Sequence, residues 1–109
     1  DLAELVLVDG PLLADERTAS LIERADRVLE LAYDDPASLA LMPRDASAGT
    51  WLIASQSRAA RLGGREVFRA LPRDEVAVAD AIRSRAATGG ALGRAFDDIA
   101  ELLAIDATT

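Results

Sequence analysis

The stretch LVLVDGP (residues 5–11) decides how the rest of the chain is interpreted, because four apolar residues run directly into Asp9 and Gly10. A short apolar run that ends at Gly and Pro is typical of a strand buried on both faces of a sheet. We therefore expect Leu5–Val8 to be an inner strand with Asp9 at its carboxyl end. Because residue 1 is not Met, we also expect the chain to be a piece of a longer protein.

Strand-like and helix-like segments alternate along the remaining residues. Runs of apolar, β-branched and aromatic residues predict strands at Val28–Tyr33, Thr50–Ala54 and Glu66–Leu71. Capping residues and apolar residues at helical spacing predict helices over about 15–24, 35–43, 74–88 and 91–104. This alternation predicts one α/β domain or domain fragment over residues 1–109, in three layers around a mostly parallel sheet of about four strands.

Three local signals refine the predicted elements. Asp35-Pro36 begins a helix, because proline is favoured at the first helical position. The last helix carries one apolar stripe, made of Leu92, Phe96, Ile99 and Leu103. Between the third and fourth strands, SQSRAARLGGRE (residues 55–66) is predicted to be a polar connection with at most one helical turn. Glu30 stands out, since a strand covered on both faces has little place for a carboxylate.

The composition excludes several classes of function. The chain of 109 residues has no His, Cys or Lys, and all twelve of its cations are Arg. Without these residues it has no nucleophilic triad, thiolate metal site, Schiff-base lysine or phosphate-loop lysine. A formal charge of −7, spread over the whole chain, argues against nucleic-acid binding. No apolar run reaches the ~20 residues of a membrane span, so we expect a cytoplasmic protein.

Three stretches, in this order, resemble the back half of the ParA/MinD-type P-loop ATPases. The first, LVLVDGP (5–11), is similar to the Walker B strand. The second, ADRVLELAYDDPAS (25–38), is similar to the next strand and helix. The third, VFRALPRDEVAVADA (67–81), is similar to the segment that borders the adenine pocket. The span from 49 to 75 is most similar to actinobacterial septum site-determining proteins, which are relatives of the pilus-assembly ATPases. The resemblance implies a parent that positions division or pilus machinery through nucleotide-linked dimerisation and protein partners.

The resemblance also implies a nucleotide site in the intact parent, with ATP and Mg²⁺ as cofactors. The residues that match the family's site are Asp9, Pro11, Gln56, Arg58, Pro72 and Asp74. In this scheme Asp9 holds the magnesium ion through a water molecule, and the loop after Pro72 borders the adenine. Gln56 lies in the neighbouring loop, where its amide can contact a base edge.

The chain departs from the family at the most important motif. It contains no Gly-rich loop with Lys, so we expect this chain not to be an enzyme, and at most a part of a degenerate ATPase. In the family, the P-loop strand lies between the strands that correspond to Leu5–Val8 and Val28–Tyr33. Its absence would leave two unpaired sheet edges, so we expect a homo-oligomer joined near Leu5–Val8.

Each candidate residue also has a purely structural interpretation. Asp9 can be a polar turn after a strand, and Asp74 can be the N-cap of the helix that follows it. Gln56 can simply be solvated, and Trp51 is expected to pack rather than stack on a base. The local basic cluster of Arg58, Arg61 and Arg65 can meet an acidic partner or a phosphate, or belong to an ordinary loop.

Two other functions stay open from the sequence. One is a stand-alone α/β regulatory module that resembles a receiver domain and binds no nucleotide. Such a domain needs acids at strand ends and a Lys, and this chain supplies only the first, at Asp9. The other is an α/β enzyme that lacks its catalytic front half. The coding sequence upstream of Asp1 discriminates between these possibilities.

Overall fold

A parallel sheet of three strands is the centre of the structure, a computed structural model that describes residues 5–10, 16–43 and 49–108. The strands in chain order are β1 (Val28–Tyr33), β2 (Thr50–Ser55), β3 (Arg61–Leu62), β4 (Arg65–Glu66) and β5 (Arg69–Leu71). The helices are α1 (Glu16–Arg24), α2 (Pro36–Leu41), α3 (Glu75–Ser84) and α4 (Gly90–Ala107). The sheet has the order β1-β2-β5, and β3 pairs with β4 in a separate hairpin.

The register of the sheet brings the ends of its strands into line. Along β1 and β2 the pairing runs in parallel from Val28 opposite Thr50 to Tyr33 opposite Ser55. Between β2 and β5 it reaches Ser55 opposite Leu71. The predicted α/β class and the parallel sheet are therefore confirmed, but among the described residues the sheet has three strands rather than about four.

The missing strand is Leu5–Val8, for which the prediction was wrong. This segment has no regular secondary structure, and its side chains are exposed by 53%, 77%, 81% and 62% in chain order. A strand inside a sheet is stable only if its backbone N–H and C=O groups are paired on both sides. Within the described part of the chain, no strand pairs with these four residues.

Two hydrophobic clusters cover the two faces of the sheet. On one face, Ala32, Leu52 and Ala54 are buried beneath α2 and the hairpin, which contributes Leu62. On the other face, Ile53 packs with residues of β5 and α4; the buried members of this cluster are Ile53, Leu71, Leu92 and Ile99. Adjacent residues of β2 alternate between the clusters because successive side chains of a strand point to opposite faces.

The segment between β2 and β5 differs from its prediction. The expected polar connection contains the β3-β4 hairpin, and the expected strand Glu66–Leu71 is divided, with Glu66 in β4 and only Arg69–Leu71 in the sheet. The hairpin turns at Gly63 and Gly64, whose φ angles are +55° and +77°. Glycine adopts such angles without steric cost, and paired positive φ values match the twist of a two-residue hairpin turn.

The helix signals hold, except that α3 ends at Ser84 rather than near residue 88 and one residue of the α4 stripe is exposed. Oδ1 of Asp35 accepts a hydrogen bond of 2.8 Å from the Ser38 N–H, which caps α2 as predicted. In α4 the predicted stripe is buried at Leu92 and Ile99, but Phe96 is 46% exposed. Periodicity places a residue on a helix face without fixing how far the surface beneath it extends, so Phe96 stays at the uncovered margin.

Glu30 is accommodated by an ion pair with the hairpin. Nη1 of Arg65 lies 3.0 and 2.8 Å from the two carboxylate oxygens of Glu30, and 3.3 Å from the Pro43 carbonyl oxygen. The Arg65 side chain is 8% exposed and that of Glu30 is 24% exposed. A buried cation with such partners is tolerated, because its hydrogen bonds and opposite charge offset the loss of water.

Among the described residues, no helix combines the length and apolar character that crossing a membrane requires.

Candidate functional site

The carboxyl ends of the three parallel strands form the candidate site. Because Tyr33, Ser55 and Leu71 are in register, the loops that follow them emerge side by side at one edge of the sheet. Two of these loops are also joined directly, since the Ser57 N–H donates a hydrogen bond of 3.2 Å to the Leu71 carbonyl oxygen. In open parallel sheets, ligands bind outside the carboxyl ends of the strands.

Gln56 occupies a strained position at this edge. Its φ angle is +55°, in the left-handed region that side chains with a Cβ rarely adopt. This conformation costs about 1 kcal/mol or more, so the surrounding structure must hold it in place. Here the 3.2 Å hydrogen bond from Ser57 to the β5 terminus fixes the backbone immediately after Gln56. No sequence signal indicated this strain, because Gln has no preference for positive φ.

Three other predicted residues lie in the two loops at this edge. Arg58 follows β2, as Gln56 does, and Pro72 and Asp74 follow β5. Pro72 is buried directly after β5, whereas Arg58 is exposed two residues after Gln56. Oδ1 of Asp74 accepts a hydrogen bond of 3.0 Å from the Ala77 N–H, which confirms its structural role as the N-cap of α3. The sheet register therefore brings the loops of these four predicted residues together at one edge.

The other predicted site residues are not part of this edge. Asp9 is exposed in the segment 5–10, which belongs to no strand, so it does not stand at the end of a buried strand as expected. Pro11 lies outside the described residues. In the described ranges, no three acidic residues come close enough to hold a metal ion. Of the predicted site residues, Gln56, Arg58, Pro72 and Asp74 are thus the ones that the structure places at this edge.

The basic cluster suggested by the sequence is divided in the structure. Arg65 is buried against Glu30 and faces the protein interior. Arg61 donates a hydrogen bond of 2.6 Å from Nη2 to the Gly64 carbonyl oxygen, which closes the hairpin turn. The three arginines therefore do not form one surface for an anionic partner.

Trp51 is part of a stack of four side chains at the opposite end of the sheet. Its ring lies 4.3 Å from that of Phe68, with an angle of 11° between the planes. The guanidinium carbon of Arg27 lies 4.5 Å from the Trp51 ring, and that of Arg69 lies 4.7 Å from the Phe68 ring. Trp51 and Phe68 both pack against the α4 cluster, so the predicted packing role of Trp51 is confirmed.

The two arginines of the stack form ion pairs with two carboxylates of α4. Nε and Nη2 of Arg27 donate hydrogen bonds of 3.0 and 2.6 Å to the two oxygens of Asp106. Nε of Arg69 donates a hydrogen bond of 2.8 Å to Asp98. The hydrogen bonds from Arg27, and secondarily its positive charge, hold the pKa of Asp106 below its ordinary value, and the same contacts raise the pKa of Arg27.

This ion pair predicts an acid-sensitive contact. The lowered pKa of Asp106 means that the pair stabilises the fold above the ordinary aspartate pKa of about 3.9 and stops doing so as pH falls through the lowered value. We expect Asp106→Asn to be less stable than the wild type at neutral pH. We also expect the difference in unfolding free energy to shrink between about pH 5 and pH 2. Urea unfolding at several pH values measures the difference in unfolding free energy between the wild type and Asp106→Asn. A difference that stays constant with pH would contradict the assignment. Asp97→Asn, at an exposed position, is the control.

Among the described residues, the candidate site has neighbouring strands on only one side of β1. The strands follow one another across the sheet in chain order, β1, β2 and β5, so the order does not reverse. The crevice that receives a ligand in open α/β sheets forms where the strand order reverses. Such a reversal requires a strand on the outer side of β1, and among the residues that the structure describes there is none.

Comparisons with models of protein families, with curated proteins and with solved structures match this chain to none of them.

Proposed function

We propose that the chain is the non-catalytic C-terminal portion of a ParA/MinD-like septum site-determining protein. The parent would act in the cytoplasm, where it positions division or pilus machinery through nucleotide-linked dimerisation and contacts with protein partners. The observation that carries the proposal is the outer edge of β1, with which no strand of the described residues pairs, in a parallel sheet of order β1-β2-β5. In the resembling family, the edge of the corresponding strand receives the strand that leads into the phosphate-binding loop.

Two further features support the proposal. Gln56, Arg58, Pro72 and Asp74 follow neighbouring strands at the carboxyl edge, where the family binds its nucleotide. Leu5–Val8 belongs to no strand in the structure, and the exposure of so apolar a run leaves it available to pair with another segment. Arg58 offers the only cation of the β2 loop before the hairpin begins, and an exposed guanidinium suits a phosphate group.

The proposal predicts that the purified chain does not hydrolyse ATP in the presence of Mg²⁺. A phosphate-binding loop with its Lys supplies the main contacts to the phosphates, and the sequence contains no Lys. Phosphate release is measured with ATP and Mg²⁺, with Asp9→Asn as the test variant and Asp97→Asn as its exposed control. Hydrolysis that Asp9→Asn abolishes and Asp97→Asn preserves would refute the non-catalytic assignment.

The coding sequence upstream of Asp1 tests the lineage independently. A strand followed by a Gly-rich loop, with Lys or with a degenerate residue in its place, is the expected result. A start codon directly before Asp1 would favour a stand-alone module instead. In that case, treatment with acetyl phosphate would test for a receiver domain, which would be labelled at Asp9.

A further inference from the structure

In the part of the chain that the structure describes, the outer edge of β1 lacks the charged side chains, proline and bulges that usually protect a sheet edge. Soluble proteins guard such edges with charged side chains, proline or bulges. The one charged side chain of β1 is Glu30, and it is paired with Arg65 of the hairpin rather than directed outwards. Leu31 and Tyr33, which share one face of β1, remain 55% and 47% exposed. The edge therefore offers six residues of backbone and an apolar flank to another strand.

The opposite edge of the sheet is a poorer acceptor. β5 has only three residues, Arg69–Leu71, and it pairs with β2 along its whole length. Arg69 is charged and is held by Asp98 of α4. An added strand would gain few backbone hydrogen bonds there and would meet a charged side chain.

The same chain carries a segment suited to the β1 edge. Leu5–Val8 is uncharged, contains no proline and consists of residues that strands tolerate well. All four side chains are more than half exposed, which is unfavourable for so apolar a run. When the segment is extended, its side chains alternate, so two of them would fall on the face that carries Leu31 and Tyr33.

We propose that Leu5–Val8 of one copy adds as a strand to the outer edge of β1 in a second copy, and that the exchange is reciprocal. Backbone hydrogen bonds give the affinity of such strand addition, and the alternate side chains give its register. One four-residue strand buries less than the ~1,200 Å² of a stable interface, whereas a reciprocal exchange doubles the buried surface. The four residues of the added strand carry no charge, which limits the repulsion between two chains of formal charge −7.

A cross-link between copies tests the pairing directly, because the natural chain contains no Cys. Leu7→Cys is introduced into unlabelled protein and Leu31→Cys into ¹⁵N-labelled protein. The two are mixed under oxidising conditions and digested for mass spectrometry. We expect a disulfide-linked peptide pair that joins an unlabelled residue 7 to a labelled residue 31. In the Leu7→Cys/Leu31→Cys double variant, a linkage confined to single chains would overturn the exchange and favour pairing within one copy.

Size measurement with a matched pair of variants completes the test. At about 100 µM protein and 0.15 M salt, which screens the negative charges, light scattering should give twice the chain mass of 11.5 kDa. Leu7→Arg should weaken the dimer at least tenfold. Ile82→Arg should leave it intact, since Ile82 is 75% exposed on α3, far from the strand edge in the topology.

Two outcomes of the size measurement would also overturn the proposal. One is a wild-type monomer at this concentration, and the other is equal weakening of the dimer by both variants. Circular dichroism checks that each variant is folded, which is expected because Leu7 and Ile82 are both largely exposed. The proposal concerns the chain of residues 1–109 and does not depend on ATP hydrolysis. A strand encoded upstream of Asp1 would compete with Leu5–Val8 for the same edge of β1.

Discussion

Glu30→Ala is expected to lower the free energy of unfolding by about 3 kcal/mol, because it leaves the Arg65 guanidinium buried without its counter-charge. The two oxygens of Glu30 lie 3.0 and 2.8 Å from Nη1 of Arg65, whose side chain is only 8% exposed. The remaining acceptor, the Pro43 carbonyl oxygen, is 3.3 Å away and carries no formal charge. Urea unfolding followed by the fluorescence of Trp51, the single tryptophan, measures the loss.

Two matched variants separate the buried charge from a general effect of losing an ion pair. The double variant Glu30→Leu/Arg65→Met removes both charges and keeps apolar volume, so it should be much closer to the wild type than Glu30→Ala. Asp80→Ala breaks the exposed pair with Arg83, whose side chains are 63% and 75% exposed, and should cost less than about 0.5 kcal/mol. A loss from Glu30→Ala as small as that from Asp80→Ala would contradict the argument.

Gly93→Ala is expected to destabilise the protein by about 2 kcal/mol, although alanine is the better helix former by about 1 kcal/mol. A Cβ atom on Gly93 would overlap the backbone carbonyl of Thr88, immediately before α4. Gly93 is buried, and its N–H donates a hydrogen bond of 2.9 Å to the Gly89 carbonyl oxygen. Because backbone atoms hold both sides of the contact, the start of α4 must shift to admit the methyl group.

Gly89→Ser is the control for this variant. Gly89 is the N-cap of α4, with a φ of −98°, and no atom lies within 4 Å of the position its Cβ would take. Serine is a good N-cap residue, so this addition should be neutral or stabilising by a few tenths of a kcal/mol. Thermal unfolding of both variants measures the contrast, and a stabilising Gly93→Ala would show that the helix start yields easily.

The sequence predicted elements whose signals are local. β1 and β2 were found from their residue types, and α2 and α3 from the caps Asp35 and Asp74, since a capping hydrogen bond spans only three residues. The residue pattern of Leu5–Val8 is similar to that of these strands. It failed as a prediction because the stability of a strand depends on partners that a local pattern does not contain.

The candidate site was predictable in part for a related reason. The placement of Gln56 and Pro72 in neighbouring loops came from the family resemblance, and it agrees with the convergence of residues after successive parallel strands on one edge. The strained backbone of Gln56 and the burial of Arg65 could not be predicted from the sequence. Both depend on contacts between distant segments, such as Ser57 with Leu71 and Arg65 with Glu30.

The contact between Arg27 and Asp106 also bears on how the protein is made. It joins positions 79 residues apart, and it fastens the end of α4 over the face of the sheet that contains Ile53. During translation, β1 and β2 emerge long before the residues that cover this face. A nascent chain halted ahead of α4 therefore presents Ile53 and Leu71 to the solvent and is expected to be held by a chaperone until Asp106 has left the ribosome.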